Sequence, residues 1–473
     1  MADKERGDFS VRVWVRAEHG APGYNAIATD KTWEGGQVVD FLSRQNSGLS
    51  LDSGLQPGWA LILRPDGAWG WNLGDGQQRL DYLPTARVQN AADGQWHMLA
   101  FTVNAAANEA RLYRDGIGVA LYSLAGLSNW RGGEPARIGC PGAEVRDLRV
   151  NEGVVPAAAI EAAWCRGGGR AVPAAPAAPR QLRVMTWNIW NGGREDGVEL
   201  GVERTAQIIA AAGADMVAMQ ETYGSGPLIA DALGFHFYWR SSNLSILSRF
   251  PIASTHDVWD DPFRLGGVTL ELGGGRSFRL FTLWIHYLPD FCSEVQRQGV
   301  KAAELVAAEE ETRGPEIRSI LRALEPFIEE ADSVPLVVAG DFNSPSHLDW
   351  TEATRERHCG LALAWPVSLA MQQAGFADAY RHSHPDPLRM PGRTWTPRSP
   401  QAWQDRIDYI YYRGRLRCIG TEVVDEHAVC WPSDHAAVLA ILEQRGDSSK
   451  DISCLERPSN SGFDSASLGA KRP

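Results

Sequence analysis

A set of polar residues stands where apolar runs of this 473-residue sequence stop or start. LRVMTWN ends in Asn188, DMVAMQE in Glu221 and FTLWIH in His286. VVAGDFN ends in Asp341 and Asn343, Asp408 opens DYIYY, and Asp434 and His435 precede AAVLAIL. A single end of this kind reads as a turn, since Asp and Asn are good turn formers. Six of them on successive apolar runs imply a shared rim. Carboxylates, imidazoles and amides at one rim suit metal-assisted phosphoryl chemistry. Hard oxygen donors hold Mg²⁺ or Mn²⁺ and leave positions for water and phosphate. The cation would screen phosphate charge and stabilise the leaving oxygen. A carboxylate would orient and deprotonate water, and an imidazole would donate to a non-bridging oxygen as charge builds there. Asp341 and Asn343 stand two apart, so in an extended segment both point to one side.

The elements needed to position such a rim are legible in the same region. The strand-like runs alternate with helical spacing at residues 202–212 and 301–330, the second interrupted by Gly314 and Pro315. This predicts a layered α/β domain whose sheets are covered by helices. Upstream, FSVRVWVRA, GWALILRPDG, WHMLAFTVN and ARLYRDGIGVALY recur between Gly, Asp, Asn and Pro punctuation. Phe9, Val11, Val13 and Val15 alternate as one buried strand face would, which predicts an all-β sandwich. The stretch AVPAAPAAPR, residues 171–180, cannot form helix or sheet and reads as an extended, semi-rigid linker. The Ser- and Gly-rich stretch after residue 445 is expected to be a disordered tail. The expected division is therefore 1–170 for the sandwich, 171–180 for the linker, 181–445 for the α/β domain and 446–473 for the tail.

Composition narrows the function classes. With 44% apolar and 22% charged residues the chain has the make-up of a soluble globular protein. No apolar run is long enough to span a bilayer. The opening MADKERGDF lacks an apolar signal core, so the expected location is cytoplasmic, or extracellular if a leader has been removed. The net charge of −12 disfavours a broad footprint for duplex nucleic acid but leaves room for a local patch. Seven cysteines without a CxxC pair argue against a zinc site. Cys140 with Cys165, and Cys418 with Cys430, are open either as bridges or as free thiols. The run Glu309–Glu310–Glu311 reads as a solvated helix face. His236, His256, His347 and His358 read as surface or hydrogen-bonded polar residues, and His382 and His384 as loop residues. Trp259, Phe263, Trp395 and Trp403 are open as cleft-lining rings or as packing under loops.

Two resemblances add to this reading. DGQWHMLAFTVN, ARLYRDGIGVA and ARIGCPGAEVRDLRVNEGVVPAAAIEAAW look like the closing half of a laminin-G-like, concanavalin-type jelly roll. That resemblance implies a module binding a glycan or a protein, with Trp14, Trp33, Trp59, Trp69 and Trp71 as core rings or sugar platforms. WN at 187–188, QE at 220–221, IH at 285–286, GDFN at 340–343, RIDYIY at 406–411 and SDH at 433–435 resemble, in this order, the endonuclease/exonuclease/phosphatase superfamily. The resemblance implies a deoxyribonuclease-like four-layer sandwich, two packed sheets flanked by helices. It implies Glu221 as principal metal ligand with Asn188 beside it and Asp434 at or near a metal. Asp341 would act on the water, Asn343 would hold the phosphate, and His435 would contact it with Asp408 fixing its tautomer. His286 would be a second imidazole. Trp190 stands where some abasic-site endonucleases of that superfamily carry an acid, which argues against that repair activity. The expected function is a Mg²⁺- or Mn²⁺-dependent hydrolase of a phosphodiester or phosphomonoester. The alternatives are a non-specific nuclease, or a glycan- or protein-binding protein beside an inactive phosphatase-like domain.

Overall fold

Period-two patterning produces the strand Phe9–Ala17, which pairs antiparallel with Ala143–Glu152 on one side and His97–Asn104 on the other. Its second face is also covered, because the helix Ala157–Arg166 lays Trp164 on Trp14, ring centroids 5.3 Å apart. In this computed structural model, which describes residues 7–33, 54–172, 178–399 and 401–445, five such strands face a second sheet of five. Trp59, Trp69 and Trp71 fill the layer between them and Trp14 lies under the helix, so these four indoles are core rings and not sugar platforms. Trp33 is half-buried and donates through Nε1 to the Tyr24 carbonyl at 2.8 Å.

The α/β part is a four-layer sandwich. Within Gln181–Asn188, Met185 and Trp187 face the helices Val198–Ala212 and Gly226–Leu233, while Leu182 and Val184 face a second sheet. In that second sheet the strand Leu336–Asp341 turns Val337 and Ala339 toward the first sheet. Its Val338 faces the helices Arg313–Glu329 and Pro366–Gln373. The alternation carries forward: Asn188 and Asp341 share the parity of the residues between the sheets, so they mark the mouth of that layer. The helix expected over 301–330 divides into Ala302–Glu310 and Arg313–Glu329. Pro315 is tolerated because it falls in the first turn of the second helix, where its missing N–H costs nothing.

One feature of the architecture is invisible in the pattern. The strand Ile117–Ser123 of the jelly roll pairs in parallel with His236–Trp239 of the α/β part, joining their sheets into one of eleven strands. Tyr122 stacks on Trp239 with centroids 5.6 Å apart, and a single hydrophobic cluster runs from Phe101 and Tyr122 to Phe237 and Trp187. The two parts therefore do not hang from the linker, whose central residues 173–177 lie outside the described residues, as does the tail expected after 445. Cys140, Cys165, Cys418 and Cys430 are free thiols, which closes the bridge alternative for both pairs. His382 lies in the short helix Ala379–Ser383 and not in a loop. Among the described residues no helix is long and apolar enough to cross a membrane.

Candidate active site

Register brings the strand-end residues together. Asp341 is paired across the sheet with Asp408 on one side and with Trp284 on the other. Asn188, fully buried, donates from Nδ2 to Glu221 Oε1 at 3.0 Å and to Asp341 Oδ2 at 3.1 Å, bridging the two sheets. Asp408 Oδ2 accepts from His435 Nδ1 at 2.9 Å, which leaves Nε2 facing the mouth, 3.8 Å from Asp341 and 3.9 Å from Asp434. Asn343 lies beside them; its backbone N–H donates to Asp341 Oδ1 at 2.9 Å and its Nδ2 to the Ile285 carbonyl at 2.9 Å.

Two of these residues have left-handed backbones, Glu221 at φ 56° and Asn343 at φ 46°. For Glu221 this is a strained conformation of the sort that persists only when neighbours fix it. The Asn243 side chain does so, accepting the Glu221 N–H at 2.8 Å.

Burial sets the electrostatics. Loss of solvent pushes the Asp341 carboxyl up to about 7, with the Asp408 charge adding and His435 opposing. Asp434 is also raised, by burial first and then by the carboxylates of Glu221 and Asp408, with His435 opposing. Burial alone would lower the His435 imidazole, but the carboxylates of Asp408, Asp341 and Asp434 together hold it well above its ordinary value. These acids favour the protonated imidazole, the form in which Nδ1 donates to Asp408 and Nε2–H is a donor toward the mouth.

The residues fit a metal ion. Ligand atoms of Asp341, Asp408 and His435 all lie within 4.8 Å of one another. Oxygens Oδ1 of Asp408 and of Asp434 are buried without a hydrogen-bond partner among the described residues. Orphaned carboxylate oxygens in a buried acidic cluster are what a hard cation relieves.

The family model that matches residues 185–435, more than half of the chain, is the Endonuclease/Exonuclease/phosphatase family. The chain belongs to this family. A second model, the Concanavalin A-like lectin/glucanases superfamily, matches residues 2–149. An uncharacterized protein of Caenorhabditis elegans, F14F9.5, is 29% identical over 291 residues, covering 55% of this chain and 90% of its own length. Solved structures similar to this chain include TDP2 from C. elegans, with 16% identity, TM-score 0.40, 59% of this chain and 81% of that one. The human Nocturnin catalytic domain with bound sulfate anion has 19% identity, TM-score 0.39, 56% of this chain and 94% of that one. At such identities and scores they carry nothing about its substrate.

Within this family member, seven of the eight strand-end residues read from sequence converge: Asn188, Glu221, Asp341, Asn343, Asp408, Asp434 and His435. His286 makes no hydrogen bond or ion pair with them among the described residues. Its Nδ1 faces Arg264 Nη2 at 3.4 Å and its backbone N–H donates to Glu316 at 2.9 Å. Arg264 in turn pairs with Glu316 at 3.3 Å. A cavity of about 370 Å³ opens on the cluster, bounded by Glu221, Asp341, Asn343, Asp434 and His435 at its base. A larger cavity of about 700 Å³ lies at the opposite strand ends, lined by Arg180, Ser277, Pro335 and Gln444, away from every one of these residues.

Several further residues hold the site in place, some of them inside the quoted motifs but with no role read from the sequence. Ser433 donates to the Asn188 carbonyl at 2.7 Å and accepts the His435 N–H at 3.0 Å. The His435 carbonyl is held by two indoles, Trp187 and Trp431, at 3.0 and 2.7 Å. Thr394 accepts the N–H groups of Ile407 and Asp408 through its hydroxyl. Glu309, expected on a solvated face, is fully buried and accepts from Ser344 Oγ at 2.9 Å and Val367 N at 3.0 Å. It ties down the turn that follows Asn343.

Proposed function

We propose that this protein is a divalent-metal-dependent phosphoesterase that hydrolyses a phosphate ester by in-line attack of water. The observation that carries the reading is the buried Asp408–His435 pair facing Asp341 and Asn188 at the base of an open cavity. In this reading Asp341 orients the water and takes its proton as the new P–O bond forms and the ester P–O bond breaks. His435 donates through Nε2 to a non-bridging oxygen, and Asp408 holds its tautomer and orientation. Asn343 hydrogen-bonds the phosphate with the amide hydrogen that Ile285 does not use. Glu221, Asp434 and Asn188 would hold Mg²⁺ or Mn²⁺, which when bound neutralises phosphate charge and stabilises the leaving oxygen. The cation is given carboxylate and amide oxygens because hard divalent ions prefer them, and His435 is left to the phosphate. His286, which follows the Ile285 carbonyl that holds Asn343, is assigned a supporting role beside the cavity. The jelly roll, matched to a lectin-like superfamily, is assigned a binding or targeting role toward a glycan or protein. Residues 181–445 are taken as the catalytic domain.

The test is a panel of phosphate monoesters and diesters assayed with Mg²⁺ or Mn²⁺, with and without chelator. Chelation is expected to abolish turnover, and Asp341→Ala to lower kcat roughly 10²- to 10⁴-fold. Normal turnover by Asp341→Ala would overturn the assignment.

A further inference from the structure

The walls of the cavity differ in kind from its base. Trp284 and Tyr287 line it, as do Phe291, Ile407 and Trp395, which pack in one hydrophobic cluster. None of the residues lining it is a lysine or an arginine. Its charged groups are the acids Glu221, Asp290, Asp341 and Asp434, with His435 among them. A polynucleotide site is the reverse of this, because it must neutralise several phosphates along a backbone.

The rings are held before any ligand arrives. Trp284 ends the strand Ser277–Trp284 next to Asp341, and the Arg264 guanidinium covers its ring at 4.9 Å from the centroid. Phe263 meets it edge-on, centroids 5.6 Å apart. Tyr287 lies 6.0 Å from it, half exposed at the rim. The segment that follows Trp284 is pinned, since Arg313 donates to the carbonyls of His286 and Pro289 at 3.3 and 3.0 Å. Trp395 is fixed to the catalytic residues themselves, because its backbone pairs with Asp405 and lies against His435. A wall whose rings are braced from behind loses little freedom on binding, which is what makes it selective.

We infer that this cavity selects a small phosphate ester whose organic group carries a planar aromatic ring, received by the rings of Trp284, Tyr287 and Trp395, with a single phosphate on the base. The volume of about 370 Å³ lies at the small end of ligand pockets, enough for a phosphate and one ring system. This rests on the phosphoesterase reading above. A nucleobase, a phenol or a benzyl-type alcohol would each supply such a ring; the shared chemistry is a flat π-face offered to indole and phenol rings.

The test compares benzyl phosphate with cyclohexylmethyl phosphate, and the methyl diesters of each, at saturating Mn²⁺ or Mg²⁺. The paired esters are similar in size and differ in ring planarity; benzyl alcohol is the somewhat better leaving group, an effect read in kcat, whereas ring recognition is read in KM. A nucleoside 5′-monophosphate and O-phosphotyrosine serve as further arms that identify the source of the ring. Phosphocholine tests whether the aromatic walls receive a cation instead. The expected result is a kcat/KM about ten-fold higher for the benzyl member, carried mostly by KM. Trp284→Leu and Trp395→Leu should bring that ratio toward one, and the rim substitution Tyr287→Ala, at a half-exposed position, should lower it without disturbing the fold. Equal kcat/KM for the paired esters, or a preference for phosphocholine or for plasmid DNA, would overturn the aromatic assignment and leave the phosphoesterase intact. Hydrolysis of none of these esters with any divalent ion would instead remove the phosphoesterase reading itself.

Discussion

Glu309 shows what a residue-scale reading needs beyond charge. In the run Glu309–Glu310–Glu311 only the first is sealed under the loop that follows Asn343, with Arg313 and Glu310 as its charged neighbours. Burial pushes its carboxyl up to about 7, opposed by Arg313, the Val367 N–H and Ser344. A carboxyl raised above its unfolded value binds more protons folded than unfolded. Its contribution is therefore fully present below about pH 4.5 and is lost as pH rises through about 7. Glu309→Gln keeps the site neutral at every pH. Urea unfolding of both proteins at pH 5 and pH 8.5 should show the variant gaining on the wild type, by on the order of 3 kcal/mol at most across that window. An unchanged difference between the two proteins at both pH values would show that Glu309 does not titrate there.

At the scale of elements, the strands were legible because period two is dictated by the pleat, and their polar ends were legible because Asp, Asn and His interrupt apolar runs. FTLWIH shows where that rule stops. Its strand ends at Trp284, so His286 lies past the pleat and turns to Arg264 and Glu316, while Trp284 takes the place beside Asp341. Nor can a pattern show which arginine is structural. Arg406, which opens RIDYIY, is almost wholly buried; it pairs with Asp349 and Asp378 at 2.7 Å each and lies over the Tyr409 ring at 4.6 Å. Asp349 also binds Arg381, and Asp378 caps the helix Ala379–Ser383, so one guanidinium fastens two elements next to Asp408. Arg406→Met should lower stability by about 3–5 kcal/mol, because it leaves two buried carboxylates short of a partner. Arg406→Lys should recover little of it, since a point charge cannot serve both acids at once. Denaturant midpoints measure this, and a midpoint unchanged in the Met variant would contradict it.

For the whole molecule, the question is whether the jelly roll and the α/β part behave as one body. Composition drew a spacer between them, because alternating Ala and Pro marks extended chain wherever its ends go. What it could not reveal is that two strand edges far apart in sequence would meet. The join has polar as well as apolar content. Asp231 accepts the N–H groups of Arg87, Val88 and Gln89 at 3.0–3.2 Å, together with the Thr85 hydroxyl. Buried Arg240 reaches across to Ser123 Oγ at 2.9 Å and pairs with Asp257 at 2.8 Å. His236 Nδ1 meets the Gly118 carbonyl at 2.8 Å. Domains joined through a small polar contact move and melt separately. Here the shared sheet and core couple them, so neither edge strand is left unpaired for aggregation. Calorimetry of the full chain should therefore show one cooperative transition. Asp231→Ala, which strands three backbone donors and a hydroxyl, should lower the whole transition by on the order of 3 °C. Two separate transitions, with only the first moved by Asp231→Ala, would mean that the two parts fold and melt as independent units despite the sheet they share.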